Sequence, residues 1–139
     1  MDVEDRLGRH IAQLEKIFKT NSIKGESIYL KQLKKELKEY FNGKRKTFDV
    51  ALDFRGTDFQ ENAWQALLKI PYGQTRSYLD QAIAINEPTA VRAVANANNR
   101  NKISILIPCH RVIGKNGSMT GYGGEVWRKE FLLKLENAI

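Results

Sequence analysis

The single cysteine of this 139-residue chain, Cys109, stands in Pro108-Cys109-His110-Arg111, between an apolar run and a glycine-rich stretch. The thiolate is the reactive form of cysteine, and a nearby imidazole, guanidinium or helix N-terminus lowers the thiol pKa. His110 supplies a base and Arg111 a permanent cation, so the setting suits a nucleophile. The competing reading is a buried cysteine packed as a small hydrophobe, the commoner role of a lone cysteine. Adjacent side chains usually point apart, so passage of the Cys109 proton to His110 calls for a bridging water.

Other chemistries fail on residue counts. One cysteine cannot close an intrachain disulfide, and with His10 and His110 as the only histidines a structural zinc site of the usual Cys and His type cannot be assembled. We therefore expect no metal and no cofactor. The N-terminal MDVEDRLGRH lacks the apolar region of a secretory signal, which predicts a reducing, cytoplasmic compartment. No apolar run approaches the roughly 20 residues that span a bilayer. The 23 Lys and Arg outnumber 16 Asp and Glu, giving a net charge of +7. That balance favours polyanionic partners, nucleic acid first and an anionic membrane surface next, with a merely solvated basic surface as the bland alternative. Lys31, Lys34, Lys35 and Lys38 fall on the polar side of a helix-like stretch, where solvation is the default.

The elements that must position Cys109 are legible in the hydrophobic spacing. Leu7, Ile11, Leu14, Ile17 and Phe18 form one helical stripe. Leu30, Leu33, Leu37, Tyr40 and Phe41 form a second, stopped by Asn42-Gly43, a pair suited to a left-handed helix terminus. Alternation over Phe48, Val50, Leu52 and Phe54 predicts a short strand. Thr57 and Gln60 have capping-box spacing before a third helix whose inward face is Ala63, Trp64, Leu67 and Leu68, ended by Pro71-Tyr72-Gly73. Ser77 to Ile85 and Thr89 to Asn98 read as two short helices around the turn Asn86-Glu87-Pro88. That pattern suggests a helix-turn-helix, although an ordinary helical hairpin is the commoner origin of such a pattern. Ile103 to Ile107 reads as a strand ahead of a sharp turn at Pro108, and Val126 to Glu136 as a last helix.

The run Ile105-Leu106-Ile107-Pro108-Cys109-His110-Arg111-Val112-Ile113-Gly114 is followed by Gly117, Gly121-Tyr122, Gly124, Lys129, Leu132-Leu133 and Glu136. Together these resemble the signature of the O6-alkylguanine-DNA alkyltransferases. The likeness continues upstream through Gly56-Thr57, Phe59-Gln60, Trp64, Ile70-Pro71-Tyr72-Gly73, Thr75, Ser77-Tyr78 and Arg92-Ala93-Val94, so it covers most of the chain. So many matches in order outweigh the bland reading of each residue alone.

The resemblance implies a DNA-repair protein that flips the damaged nucleotide out of the duplex and moves its alkyl group irreversibly onto Cys109. It implies catalytic parts for Cys109, His110, Glu136, Tyr78 and Asn101: nucleophile, proton acceptor, partner of the histidine, aid to guanine departure, and tie between the helix pair and the active-site turn. DNA contacts are implied for Arg92, the finger that fills the stack, and for Tyr78, Ser77, Thr89, Ala95, Asn96, Arg100 and Lys115. Tyr122, Gly123, Val112 and Pro108 would border the base pocket. The implied substrate is O6-methylguanine in double-stranded DNA, with O4-methylthymine as a second, and the implied state is a monomer without membrane contact. With no second cysteine to accept the alkyl group, one molecule repairs one lesion.

The expected fold is α/β, with a mainly helical winged helix-turn-helix domain over 56–139. Residues 1–55 make a small, reduced α+β section, either ribonuclease-H-like or mostly helical. Family members usually carry a larger N-terminal domain. Ser104 stands where proline is frequent and Ala95-Asn96 where glycine is common, positions that bear on pocket width. Two rival functions remain at this level: a non-catalytic protein that only binds alkyl lesions in DNA, and a cysteine hydrolase acting through Cys109 and His110.

Overall fold

The computed structural model describes residues 3–22, 25–119 and 126–139. The order is α1 (Val3–Phe18), α2 (Ile28–Phe41), α3 (Asp58–Leu68), β1 (Arg76–Ser77), α4 (Tyr78–Ala84), α5 (Val91–Asn99), β2 (Val112–Ile113) and α6 (Val126–Leu135). Short 3-10 turns at Cys109–Arg111 and Lys115–Gly117 flank β2. Among the described residues no helix is long and apolar enough to cross a membrane.

Helix boundaries follow local chemistry. Ser27 caps α2 by accepting from the Leu30 N–H, and Gly43, at φ 73°, takes the left-handed conformation that ends it. Thr57 and Gln60 satisfy each other's backbone N–H groups in the expected capping box of α3. Ser77 and Asp80 form a second box at the start of α4. The second helix of the pair begins at Val91 rather than Thr89, because an Ala90 N–H to Glu87 carbonyl bond of 2.9 Å keeps the preceding residues in a turn.

The core cluster is Trp64, Leu67, Ile70, Ile107, Cys109 and Val112, with Leu52, Phe54, Tyr78 and Ile103 packed against it. Leu68, expected inside, is exposed. The Trp64 indole donates to the Ala97 carbonyl at 2.8 Å, joining α3 to α5. Gln81 and Asn98 exchange side-chain bonds of 2.9 and 2.8 Å, and Gln81 also donates to the Ala63 carbonyl. A buried amide is tolerated only when its donors and acceptors are matched, so this pair fixes how α4 and α5 cross. The helix pair is thus the helix-turn-helix, and the parallel pairing of Arg76 with Val112 and Ser77 with Ile113 makes the small sheet beside it.

Two expected strands do not form. Over Phe48 to Phe54 burial does alternate, with Val50 buried, Leu52 and Phe54 half-buried, and Ala51, Asp53 and Arg55 exposed. No strand pairs with it among the described residues, because the N–H groups of Asp49 and Val50 go instead to the buried Glu36 carboxylate on α2, at 2.7 and 3.2 Å. Ile103 to Ile107 folds back on itself, with an Ile107 N–H to Ile103 carbonyl bond of 3.0 Å and Ile105 at φ 76°. A β-branched residue in that region is strained by about 1–3 kcal/mol and persists only when its surroundings hold it.

Candidate active site

Cys109 opens the 3-10 turn Cys109–Arg111, closed by a 3.0 Å bond from the Arg111 N–H to the Pro108 carbonyl. With three residues per turn, successive side chains leave about 120° apart. Cys109 therefore faces Asn101, while His110 and Arg111 both reach Glu136 at the end of α6.

The Asn101 amide holds this turn. Its Nδ2 donates to the Ile107 carbonyl at 2.9 Å and to Cys109 Sγ at 3.3 Å, and its Oδ1 accepts from the Ile103 N–H at 2.9 Å. These bonds occupy backbone groups that a strand would have paired, and they hold Ile105 in its strained conformation. On the opposite side, the fully buried Lys129 donates through Nζ to the Val112 carbonyl and lies 5.7 Å from the centre of the Tyr78 ring. Burial pushes the Cys109 thiol above its ordinary pKa, with Asn101 and Lys129 pulling back down. The low-pKa thiol expected from Arg111 is thus not formed, because that guanidinium is directed elsewhere. Burial also brings Lys129 down to about 8 and pushes Tyr78 up, the latter aided by the charge of Cys109.

His110 Nε2 lies 2.7 Å from Glu136 Oε2, with both side chains wholly buried. Arg111 donates through Nε to Oε1 at 2.8 Å, through Nη2 to Oε2 at 3.2 Å and through Nη1 to the Ile70 carbonyl at 2.7 Å. Burial by itself raises the Glu136 carboxyl pKa. Hydrogen bonds from His110 and Arg111, the His110 charge and a hydrogen bond from Tyr40 outweigh burial and bring it down to about 2. An ionised carboxylate only accepts, so Nε2 carries the hydrogen and the neutral ring presents its lone pair at Nδ1. That Nδ1 is buried and has no hydrogen-bond partner among the described residues. Burial holds His110 below its ordinary pKa, with Glu136 pulling up and Arg111 and Lys129 pushing down. Near pH 7 the pair is therefore a protonated thiol and a neutral imidazole able to accept a proton.

The other sequence-predicted residues are spread over the start of α4, α5, the second 3-10 turn and the buried turn around Cys109. Arg92 is exposed in the first turn of α5, followed by Ala95, half-buried, and Asn96, exposed. Thr89 and Arg100 are exposed at either end of this helix, and Lys115 is exposed in the second 3-10 turn. The Ser77 hydroxyl is engaged in capping α4, and Tyr78 is half-buried at its start. Pro108 and Val112 are buried, and the Cys109 and Val112 carbonyls each already accept one bond, from the Val112 N–H and from Lys129. Each keeps a second lone pair. Tyr122 and Gly123 lie outside the described residues.

Sequence reading passed over Tyr40 and Arg111 as partners of Glu136 and Lys129 as a neighbour of Cys109. Arg111 and Lys129 lie within the family signature, but nothing local shows where a long cation points. Tyr40 looked like one more member of an apolar stripe. Gly73 also matters: at φ 81°, an added Cβ would stand 3.2 Å from the Glu136 carbonyl, so the glycine lets the loop before β1 press against the end of α6.

Residues 58–138 match the model of the 6-O-methylguanine DNA methyltransferase DNA binding domain, and residues 5–54 match that of the ribonuclease-like domain of the same proteins. The chain belongs to this methyltransferase family. A family member from Methanosarcina barkeri, a methylated-DNA–protein-cysteine methyltransferase, is 53% identical over 108 residues, which is 78% of this chain and 68% of the relative. Mycobacterium tuberculosis OGT, solved in complex with DNA, superposes with a TM-score of 0.77 at 53% identity, covering 78% of this chain and 68% of that one. The O6-methylguanine-DNA methyltransferase of Pyrococcus kodakaraensis gives 0.76 at 29% identity over 96% of this chain and 78% of the other. This chain thus spans about two thirds of the length of its Methanosarcina and Mycobacterium relatives.

Proposed function

We propose that this protein repairs O6-alkylguanine in duplex DNA by direct transfer of the alkyl group to Cys109. The observation that carries the reading is the buried thiol held by Asn101 beside the His110–Glu136 pair, on a helix-turn-helix scaffold of this family.

The Cys109 sulfur attacks the alkyl carbon in line with its bond to guanine O6. A C–S bond forms as the C–O bond breaks, and the electron pair leaves with guanine. The thiol proton passes through a water to His110 Nδ1, and Glu136 balances the imidazolium so formed. Tyr78 assists guanine departure from beside the sulfur. Arg92 enters the stack in place of the flipped nucleotide, while Ser77, Thr89, Ala95, Asn96, Arg100 and Lys115 line the DNA face. Pro108, Val112, Tyr122 and Gly123 border the base. The thioether is stable and the chain holds no second cysteine, so each molecule acts once. We read residues 1–55 and 56–139 as two units, acting together as a monomer in the compartment that holds the DNA.

The rival is a protein that binds the lesion without transfer; the thiol and the base paired with Glu136 favour transfer. Incubation with a duplex bearing O6-methylguanine, followed by trypsin, should yield the peptide Ile103 to Arg111 heavier by one methylene. An unmodified peptide, under conditions where the duplex is bound, overturns the reading.

A further inference from the structure

Tyr40 lies in the last turn of α2 and is wholly buried, 96 residues from Glu136 in the chain. Its hydroxyl donates to Glu136 Oε2 at 2.5 Å, in the range of a charge-assisted O–H to carboxylate bond. That same oxygen accepts from His110 Nε2 at 2.7 Å. The direction of the hydroxyl is set by ring packing: Phe41, Phe48 and Tyr72 surround the Tyr40 ring, with centroids 5.3, 5.5 and 6.2 Å away. Tyr72 is itself tied to the end of α6 through the Leu135 carbonyl, at 3.3 Å.

We propose that Tyr40 is a positioning residue of the transfer reaction: it fixes Glu136 Oε2 against His110 and takes up part of the charge on that oxygen, so that the N-terminal section governs how readily His110 accepts the Cys109 proton. The proposal rests on the transfer reaction and on the part given to His110 above. Tyr40, His110 and, at 3.2 Å, Arg111 Nη2 all donate to Oε2 and share its lone pairs, so a bond from Tyr40 weakens the hold of Glu136 on the His110 proton. Were the phenol absent, the carboxylate would draw a proton onto the imidazole at higher pH, and less of the free base would be present near neutrality. The hydroxyl also keeps the carboxylate oriented as His110 becomes charged, with no reorganisation at that moment. Tyr40 stays a neutral donor throughout, because burial and Glu136 push its own ionisation far up. Among the described residues, Arg111 and Tyr72 face Glu136 and Tyr40, and Arg111 and Lys129 face His110. None of them is altered by changing Tyr40 to Phe.

The test is the single-turnover rate of Cys109 alkylation by free O6-benzylguanine as a function of pH, for the full chain and for Tyr40→Phe, Glu136→Gln and His110→Gln. The acid limb of the profile should move up by roughly half to one pH unit in Tyr40→Phe. The rate at neutral pH should fall about three- to tenfold, as expected for loss of one ordinary intramolecular hydrogen bond. A purely structural tyrosine lowers the melting temperature and leaves the limb where it was. If Glu136→Gln moves the limb and Tyr40→Phe does not, the Tyr40 proposal is overturned and the reaction stands. If neither Glu136→Gln nor His110→Gln changes rate or profile, the part given to His110 falls, and this proposal with it. Should Tyr40→Phe fail to fold, 3-fluorotyrosine at position 40, a stronger donor, should move the limb to lower pH; an unmoved limb overturns the proposal.

Discussion

Asn101 Nδ2 is 3.3 Å from Cys109 Sγ while the same amide brackets Ile103 and Ile107, so one side chain at the end of the helix-turn-helix holds both the Cys109 sulfur and the strained turn before it. Removing the amide should therefore affect reactivity and stability together. In Asn101→Ala the thiol loses a donor that lowers its pKa, so the pH midpoint for Cys109 alkylation by iodoacetamide should rise. The unsatisfied backbone groups should cost about 1–3 kcal/mol in chemical denaturation. An unchanged midpoint in a folded variant would show that the contact carries no charge stabilisation.

The Glu136 carboxyl, held down to about 2 from an ordinary 4.5, makes stability depend on acid pH. A depressed folded pKa contributes stability that is fully present above about 4.5 and is lost as pH falls through about 2. His110, also depressed in the fold, works in the same direction, its share declining as pH drops below the ordinary 6.5. Glu136→Gln strands Arg111 and should cost about 3–5 kcal/mol at pH 7. The gap between its melting curve and that of the unmodified chain should narrow steadily from pH 4.5 to pH 2; a constant gap contradicts the assignment.

Gly73→Ala places a methyl group 3.2 Å from the Glu136 carbonyl at a backbone φ of 81°. Both strains disturb the contact between this loop and the end of α6. A loss of about 1–3 kcal/mol is expected, with a slower single-turnover rate even on the free base, since the Glu136 side chain moves with its backbone. Full activity at unchanged stability would place this close approach outside the working geometry.

Arg92 stands clear of the active-site network, exposed in the first turn of α5. Flipping a base costs a few kcal/mol, and each 1.4 kcal/mol is a factor of ten. Arg92→Ala should therefore slow repair of O6-methylguanine in duplex by about 10- to 100-fold, with little effect on reaction with free O6-benzylguanine. Equal losses on the two substrates would remove the finger role.

Local pattern determined much of this protein. Thr57 and Gln60 close their capping box from four consecutive residues, and Gly43 ends α2 because only local sterics decide a left-handed terminus. The helical stripe of α3 buries Ala63, Trp64 and Leu67 as its spacing requires. The family signature also pointed to Cys109, His110 and Glu136, the residues on which the proposed transfer rests. Tertiary structure decided what no local pattern encodes. The β-branched run Ile103 to Ile107 has strand propensity, yet the Asn101 side chain occupies its backbone groups and folds it into a turn. Alternation over Phe48 to Phe54 survives as alternating burial, but Glu36 takes N–H groups that a neighbouring strand would have used. Tyr40 and Arg111 meet on Glu136 from 96 and 25 residues away. Helix and turn propensities arise from interactions a few residues apart, whereas the destination of a buried hydroxyl or guanidinium depends on which distant carboxylate the packing brings within reach.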